Sequence, residues 1–210
     1  PTMIFNVTMQ NHSGYSQGWN NLSGDVTVTG GAKPSSITTQ YFSLMKESDQ
    51  AIQALVEHYS QVEEKTLIVF FGDHQPPLGN TFFETLYGKK LDERDPEEVQ
   101  QAYETPFFIW ANYDIPEQDD LRISSNYLGV LAAEVAGLPL TGYQQLLSRL
   151  MDVLPVAGTA GYVTADGQVT QEAEELPGYV QSLYREYELA AYTHLFDEKH
   201  HPEDFFSLRK

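Results

Sequence analysis

The chain has 210 residues, 41% hydrophobic and 20% charged, which is enough apolar material for one packed domain of ordinary size or one domain with a small addition. Its 30 acids against 12 bases give a net charge of −18, which repels nucleic-acid phosphates and sets nucleic acid aside as a partner. There is no cysteine, so disulfides, thiolate metal sites and cysteine nucleophiles are excluded. No apolar run reaches the roughly 20 residues needed to span a bilayer. The sequence opens at Pro1 rather than Met and reads as the later part of a longer polypeptide.

MIFNVTM, residues 3–9, is rich in β-formers and predicts a strand. It runs into the polar loop QNHSGYSQGWNNLSGD, which continues to about Pro34. From Thr38 the period changes. Tyr41, Met45, Ile52, Leu55 and Tyr59 fall on one stripe of a helix, with Thr38 or Thr39 as its cap. TLIVFF, residues 66–71, has apolar residues without alternation and predicts a strand covered on both faces, as in a parallel sheet. A loop with a short helix follows, then a charged helix starting near Pro96 and a second buried-type strand within TPFFIWANYD, residues 105–114.

The spacing predicts a helix from about Tyr127 to Ala136, capped by Ser124 or Ser125 and stopped by Gly137 and Pro139. A further helix ends before Pro155. Asp166-Gly167 between short β-like runs signals a hairpin. A long amphipathic helix closes the chain, followed by a tail read as irregular. The fold class is therefore α/β, a mostly parallel sheet flanked by helices. Residues 1–150 form the main domain and 151–210 a small α+β appendage.

In an open α/β sheet, ligands bind beyond the carboxyl ends of the strands. Asp73 and His74 sit where the 66–71 run stops, and Asn11 and His12 lie just past 3–9. In a parallel sheet both clusters share one edge. A carboxylate supplies a hard oxygen and a neutral imidazole a borderline nitrogen, a useful pair for a divalent metal. Gly72 lets the backbone bend there, and Pro76 with Pro77 stiffens the exit. An Asp that merely caps the next turn fits the same tripeptide. His12 fits either a site or an idle polar loop. His200 and His201 could chelate a metal adventitiously, and Trp19 could pack or line a pocket. Dinucleotide, P-loop, serine-hydrolase and zincin motifs are missing.

Taken together, FNVTMQNHSGY, VFFGDHQPP and TPFFIWANYD resemble the C-terminal part of a sulfatase-type domain of the alkaline phosphatase superfamily. The likeness is strongest to the lipoteichoic acid synthase group, the phosphoglycerol transferases of Gram-positive bacteria. It covers most of residues 1–114 and, loosely, 176–197. The resemblance implies that Asp73 and His74 are metal ligands, for Mn²⁺ first and Mg²⁺, Zn²⁺ or Ca²⁺ otherwise. It implies that His12 contacts the substrate phosphate or sulfate. It further implies a threonine nucleophile and another acidic ligand, both upstream of Pro1, so no catalytic nucleophile is visible here. The implied enzyme works at the extracellular face of the membrane on a phosphoglycerol- or sulfate-bearing small-molecule or lipid substrate. Sulfatase, phosphodiesterase and phosphoethanolamine transferase are alternatives within the superfamily. A non-catalytic alternative is a half-domain that associates through an exposed sheet edge as a homo-oligomer.

Overall fold

The computed structural model describes residues 2–12, 14–16, 22, 24, 26–29 and 35–208; Trp19 lies outside them. The chain divides into two compact units, Pro1–Thr66 with Gly72–Arg94, and Leu67–Phe71 with Asp95–Lys210.

In the first unit, α1 spans Ser36–Tyr59. Its cap is Ser35, earlier than the sequence suggests. The Ser35 hydroxyl accepts from the Thr38 amide at 3.1 Å, and Thr38 Oγ1 accepts from the Ser35 amide at 2.9 Å. Two otherwise unpaired donors are thereby satisfied. Of the stripe expected on α1, Tyr41 joins a small core in which Tyr15, Leu44 and Leu78 are buried and Phe82 and Phe83 pack around them, whereas Leu55 is 44% exposed. Phe82 and Phe83 come from α2, Asn80–Tyr87, which ends where Gly88 turns left-handed at φ 69°.

The strand expected at 3–9 does not form. Residues 2–9 adopt neither helix nor strand, and Met3, Ile4 and Phe5 are 90%, 80% and 69% exposed. β-propensity measures fit to a pleated, half-buried surface, and no strand among the described residues offers that surface to this segment.

In the second unit, β1, Leu67–Phe71, pairs with β2, Phe107–Ala111. The pairing is antiparallel, from Leu67 opposite Ala111 to Phe71 opposite Phe107, which corrects the expected parallel arrangement. An unbroken apolar run reports that both faces are covered; it carries no information about strand direction. The expected cover on both faces is incomplete: every β2 position is half-buried, and Phe71 at the end of β1 is 41% exposed. Phe70 stacks on Phe108 with ring centroids 5.4 Å apart, adding a cross-strand aromatic pair. α3, Pro96–Gln101, starts as the sequence suggests: Asp95 caps it, accepting from the Glu98 amide at 3.0 Å, and Pro96 occupies its first turn.

The main core of this unit lies between α4 (Ser125–Val135), α5 (Gly142–Val153) and α6 (Gly178–Phe196). Tyr127, Val130, Leu147, Leu150, Leu154 and Leu183 are buried there. At about 1.5–3 kcal/mol per fully buried large side chain, this cluster dominates the unit's stability. Ser124 precedes α4, yet its hydroxyl caps no helix amide. It donates to the Ala157 carbonyl at 3.0 Å and accepts from the Ala157 amide at 2.7 Å.

That bond ties α4 to a second antiparallel sheet, β3 (Val156–Gly158), β4 (Gly161–Val163) and β5 (Val169–Thr170). The Asp-Gly hairpin forms as expected. Thr164 Oγ1 donates to Asp166 at 2.5 Å, and this hydrogen bond holds the Asp166 carboxyl below its usual range. At Gly161, φ is +113°, and a Cβ would collide with the Thr170 carbonyl and stand 3.1 Å from Gln100 Nε2. Gly161→Ala is expected to lower unfolding free energy by at least ~2 kcal/mol in urea titration, combining left-handed strain with overpacking.

Part of the tail read as irregular is helical among the described residues. A 3₁₀ turn at Glu198–His200 leads to α7, Glu203–Phe206. Phe205 packs where a Gly142 side chain would otherwise sit, and Tyr143 faces both Phe205 and Phe206. No described helix is long and apolar enough to cross a membrane.

Candidate metal and phosphate site

Asp73 and His74 follow the end of β1 by a single glycine. Asp73 Oδ1 accepts from the amide of the next residue, His74, at 2.9 Å. Asp73 Oδ2 is left to face His74 Nε2 at 3.6 Å. On the other side of the ring, His74 Nδ1 meets the Gln75 carbonyl at 2.9 Å. A carbonyl can only accept, so Nδ1 carries the proton, and in the neutral ring Nε2 is the nitrogen with the free lone pair. That neutral tautomer is the one a metal-ligating histidine uses when its other nitrogen is tied to a backbone oxygen. An oxygen and a nitrogen 3.6 Å apart can both reach one cation at bond lengths of about 2.0–2.2 Å. The donor set therefore fits a divalent ion. Both side chains are open to solvent, 81% and 61% exposed, so water fills any remaining coordination positions. Among the described residues, no three His, Asp or Glu side chains gather in a way that could hold a metal.

Further along, Leu78 anchors the segment. It is 7% exposed and packs with Tyr15 and Leu44. Tyr15 is the link to the second cluster. Its hydroxyl donates to the Asn11 carbonyl at 2.7 Å. Asn11 in turn is fastened to α1: Nδ2 donates to Ser48 Oγ at 2.9 Å, and Ser48 Oγ donates to Asn11 Oδ1 at 3.1 Å. His12 follows on the same turn, its amide donating to the Met9 carbonyl at 3.1 Å, and is exposed.

Burial pushes the Tyr15 phenol above its ordinary value, with further contributions from Tyr41 and then from the Asp73 carboxylate. Asp73 thus lies within electrostatic reach of the turn that carries His12. The structure brings Asp73 and His74 together directly and places His12 in the same compact unit. Among the described residues, the His12 imidazole shares no hydrogen bond or ion pair with either.

Tyr15 and Ser48 escaped the sequence reading. Tyr15 stood within the quoted stretch but carried no chemical signature, and Ser48 looked like one more polar position on an amphipathic helix. Tyr15→Phe removes the bond to Asn11 while keeping the ring in the core. In the intact protein we expect turnover to fall roughly tenfold with metal content unchanged, because the loss acts through the placing of His12; steady-state kinetics beside metal analysis checks this.

The Sulfatase family model matches residues 1–138, and the chain belongs to the sulfatase family. A cyclic beta-1,2-glucan modification protein of Rhizobium meliloti (strain 1021) is 26% identical over 212 residues, covering 98% of this chain and 33% of that protein. The Streptococcus pyogenes phosphoglycerol transferase GacH, solved in complex with sn-glycerol-1-phosphate, matches 97% of this chain with a TM-score of 0.64 at 19% identity. That likeness shows the fold. The match covers 47% of the GacH chain, so this chain spans less than half the length of either protein.

Proposed function

We propose that this chain is part of a metal-dependent phosphoglycerol transferase of the cell envelope, working at the outer face of the membrane. Asp73 Oδ2 and His74 Nε2 hold one divalent cation, Mn²⁺ first among the candidates. The 3.6 Å approach of these two atoms, with Nδ1 tied to the Gln75 carbonyl, is the observation that carries the reading. When bound, such an ion lowers the pKa of an attacking hydroxyl and offsets charge on the phosphoryl oxygens. His12 donates a hydrogen bond to a non-bridging phosphate oxygen or a proton to the leaving oxygen. Asn11, Tyr15 and Ser48 hold the turn that presents it. The −18 charge is compatible with an anionic substrate, because a bound cation and an imidazole make the site locally positive.

The glycerol phosphate bound to GacH supports a phosphoglycerol group as the portion transferred, and the name of the Rhizobium protein supports a glucan as acceptor. The test is an assay of the intact protein with a glycerophosphate-bearing lipid, a β-glucan and Mn²⁺. Mass spectrometry should find a glycerophosphate increment on the glucan that EDTA abolishes. Release of sulfate from an aryl sulfate ester, with no increment on the glucan, would favour the sulfatase reading that the family's description allows.

A further inference from the structure

We propose that His194 and His201 form a second metal site, chemically distinct from Asp73 and His74, that takes a borderline divalent ion such as Zn²⁺, Ni²⁺ or Cu²⁺. His194 lies in the last turn of α6, and His201 follows the 3₁₀ turn after it. His194 Nδ1 and His201 Nε2 stand 3.0 Å apart in a hydrogen bond, one ring donating N–H to the other's lone pair, and a bound ion would take the place of that proton. Two imidazole nitrogens bound to one ion at about 2.0–2.1 Å, at angles between square and tetrahedral, are separated by about 2.8–3.4 Å. The observed spacing lies within that range.

The rings are held in place before any ion arrives. Phe206 stacks on both, with centroids 4.5 Å from each and interplanar angles of 19° and 21°. Tyr143 adds a stacked contact to His194, with centroids 6.1 Å apart. The two imidazoles therefore lie side by side on an aromatic floor with one nitrogen of each turned to the other. His194 also sits at the carbonyl end of a 19-residue helix, where the helix dipole favours positive charge.

His200 is excluded from the pair. Its Nδ1 faces both Asp197 carboxylate oxygens at 2.9 Å. The sequence alone pointed to neighbours 200 and 201 as chelators; the fold pairs 201 with 194. With two imidazole nitrogens as its donors, this pair selects borderline ions over Mn²⁺ or Mg²⁺, the reverse of the Asp73–His74 preference. Water completes the coordination, so the affinity is expected to be micromolar. A bound ion would fasten the end of α6 to the segment leading into α7.

The test uses intact, tag-free protein carrying Asp73→Asn and His74→Gln, so that only the proposed site is read. Calorimetric titration with ZnCl₂ should give one ion per chain. EPR of the Cu²⁺ form should show coupling to imidazole nitrogens, and Zn²⁺ should raise Tm by a few degrees. His194→Gln or His201→Gln should each weaken binding roughly tenfold or more, while His200→Gln should leave it unchanged. Circular dichroism confirms that each variant is folded. Unchanged binding in His194→Gln and His201→Gln would overturn the proposal, as would equal loss in His200→Gln or no binding of Zn²⁺ at micromolar concentration.

Discussion

Asp73→Ala or His74→Ala, made in the intact protein, is expected to lower turnover by about 10³-fold or more. Metal assistance supplies several kcal/mol of transition-state stabilisation, and each 1.36 kcal/mol is a factor of ten. Either substitution removes one of two adjacent donors 3.6 Å apart, so the loss should appear first as a loss of metal. Excess Mn²⁺ should restore part of the activity, because the remaining donor still binds weakly. Elemental analysis and kinetics across a Mn²⁺ series check this together. Both variants should fold normally, since both side chains are mostly exposed. Full activity with undiminished metal in both would remove the pair from the chemistry.

His12→Ala should behave differently. A positioned proton donor or hydrogen-bond donor to a reacting group contributes about 10²–10⁴-fold. We expect a loss in that range with metal content unchanged, because no described bond joins His12 to Asp73 or His74. The contrast matters more than the size. If His12→Ala also emptied the metal position, His12 would be a ligand rather than a substrate contact. Paired metal analysis and single-turnover kinetics on the same preparations separate the two outcomes. The Tyr15→Phe variant should share the His12 signature in weaker form, since the Tyr15 hydroxyl bonds the Asn11 carbonyl just before His12.

Elements whose boundaries rest on local chemistry could be read from the sequence. The 66–71 run became β1, α3 opened at Pro96, and Asp166-Gly167 made its turn. Features set by distant neighbours could not. An apolar run does not encode which way its partner runs, so the β1–β2 pair was expected to be parallel and is antiparallel. The 3–9 segment has strand composition but no strand beside it among the described residues. Ser124 or Ser125 was expected to cap α4, yet Ser125 lies within the helix and the Ser124 hydroxyl serves Ala157, 33 residues away in the chain.

The site shows the same division. Asp73 and His74 are neighbours in sequence, so their chemistry was visible as a motif. The grip on the His12 turn depends on Tyr15 and on Ser48, whose bond to Asn11 spans 37 positions, and no local pattern announces it. The tail misled for a related reason. Its polar, histidine-rich composition hides Phe205 and Phe206, which pack onto Tyr143 only once α5 and α6 have formed. The pairing of His194 with His201 likewise emerges only after the helix end and the turn are in place.

The most direct measurement is an anomalous-scattering map from crystals of the intact protein grown with Mn²⁺. It should show a manganese peak roughly 2.0–2.3 Å from both Asp73 Oδ2 and His74 Nε2, with His74 Nδ1 still on the Gln75 carbonyl. A manganese peak elsewhere, with these two side chains turned apart and bound only to water, would contradict the account.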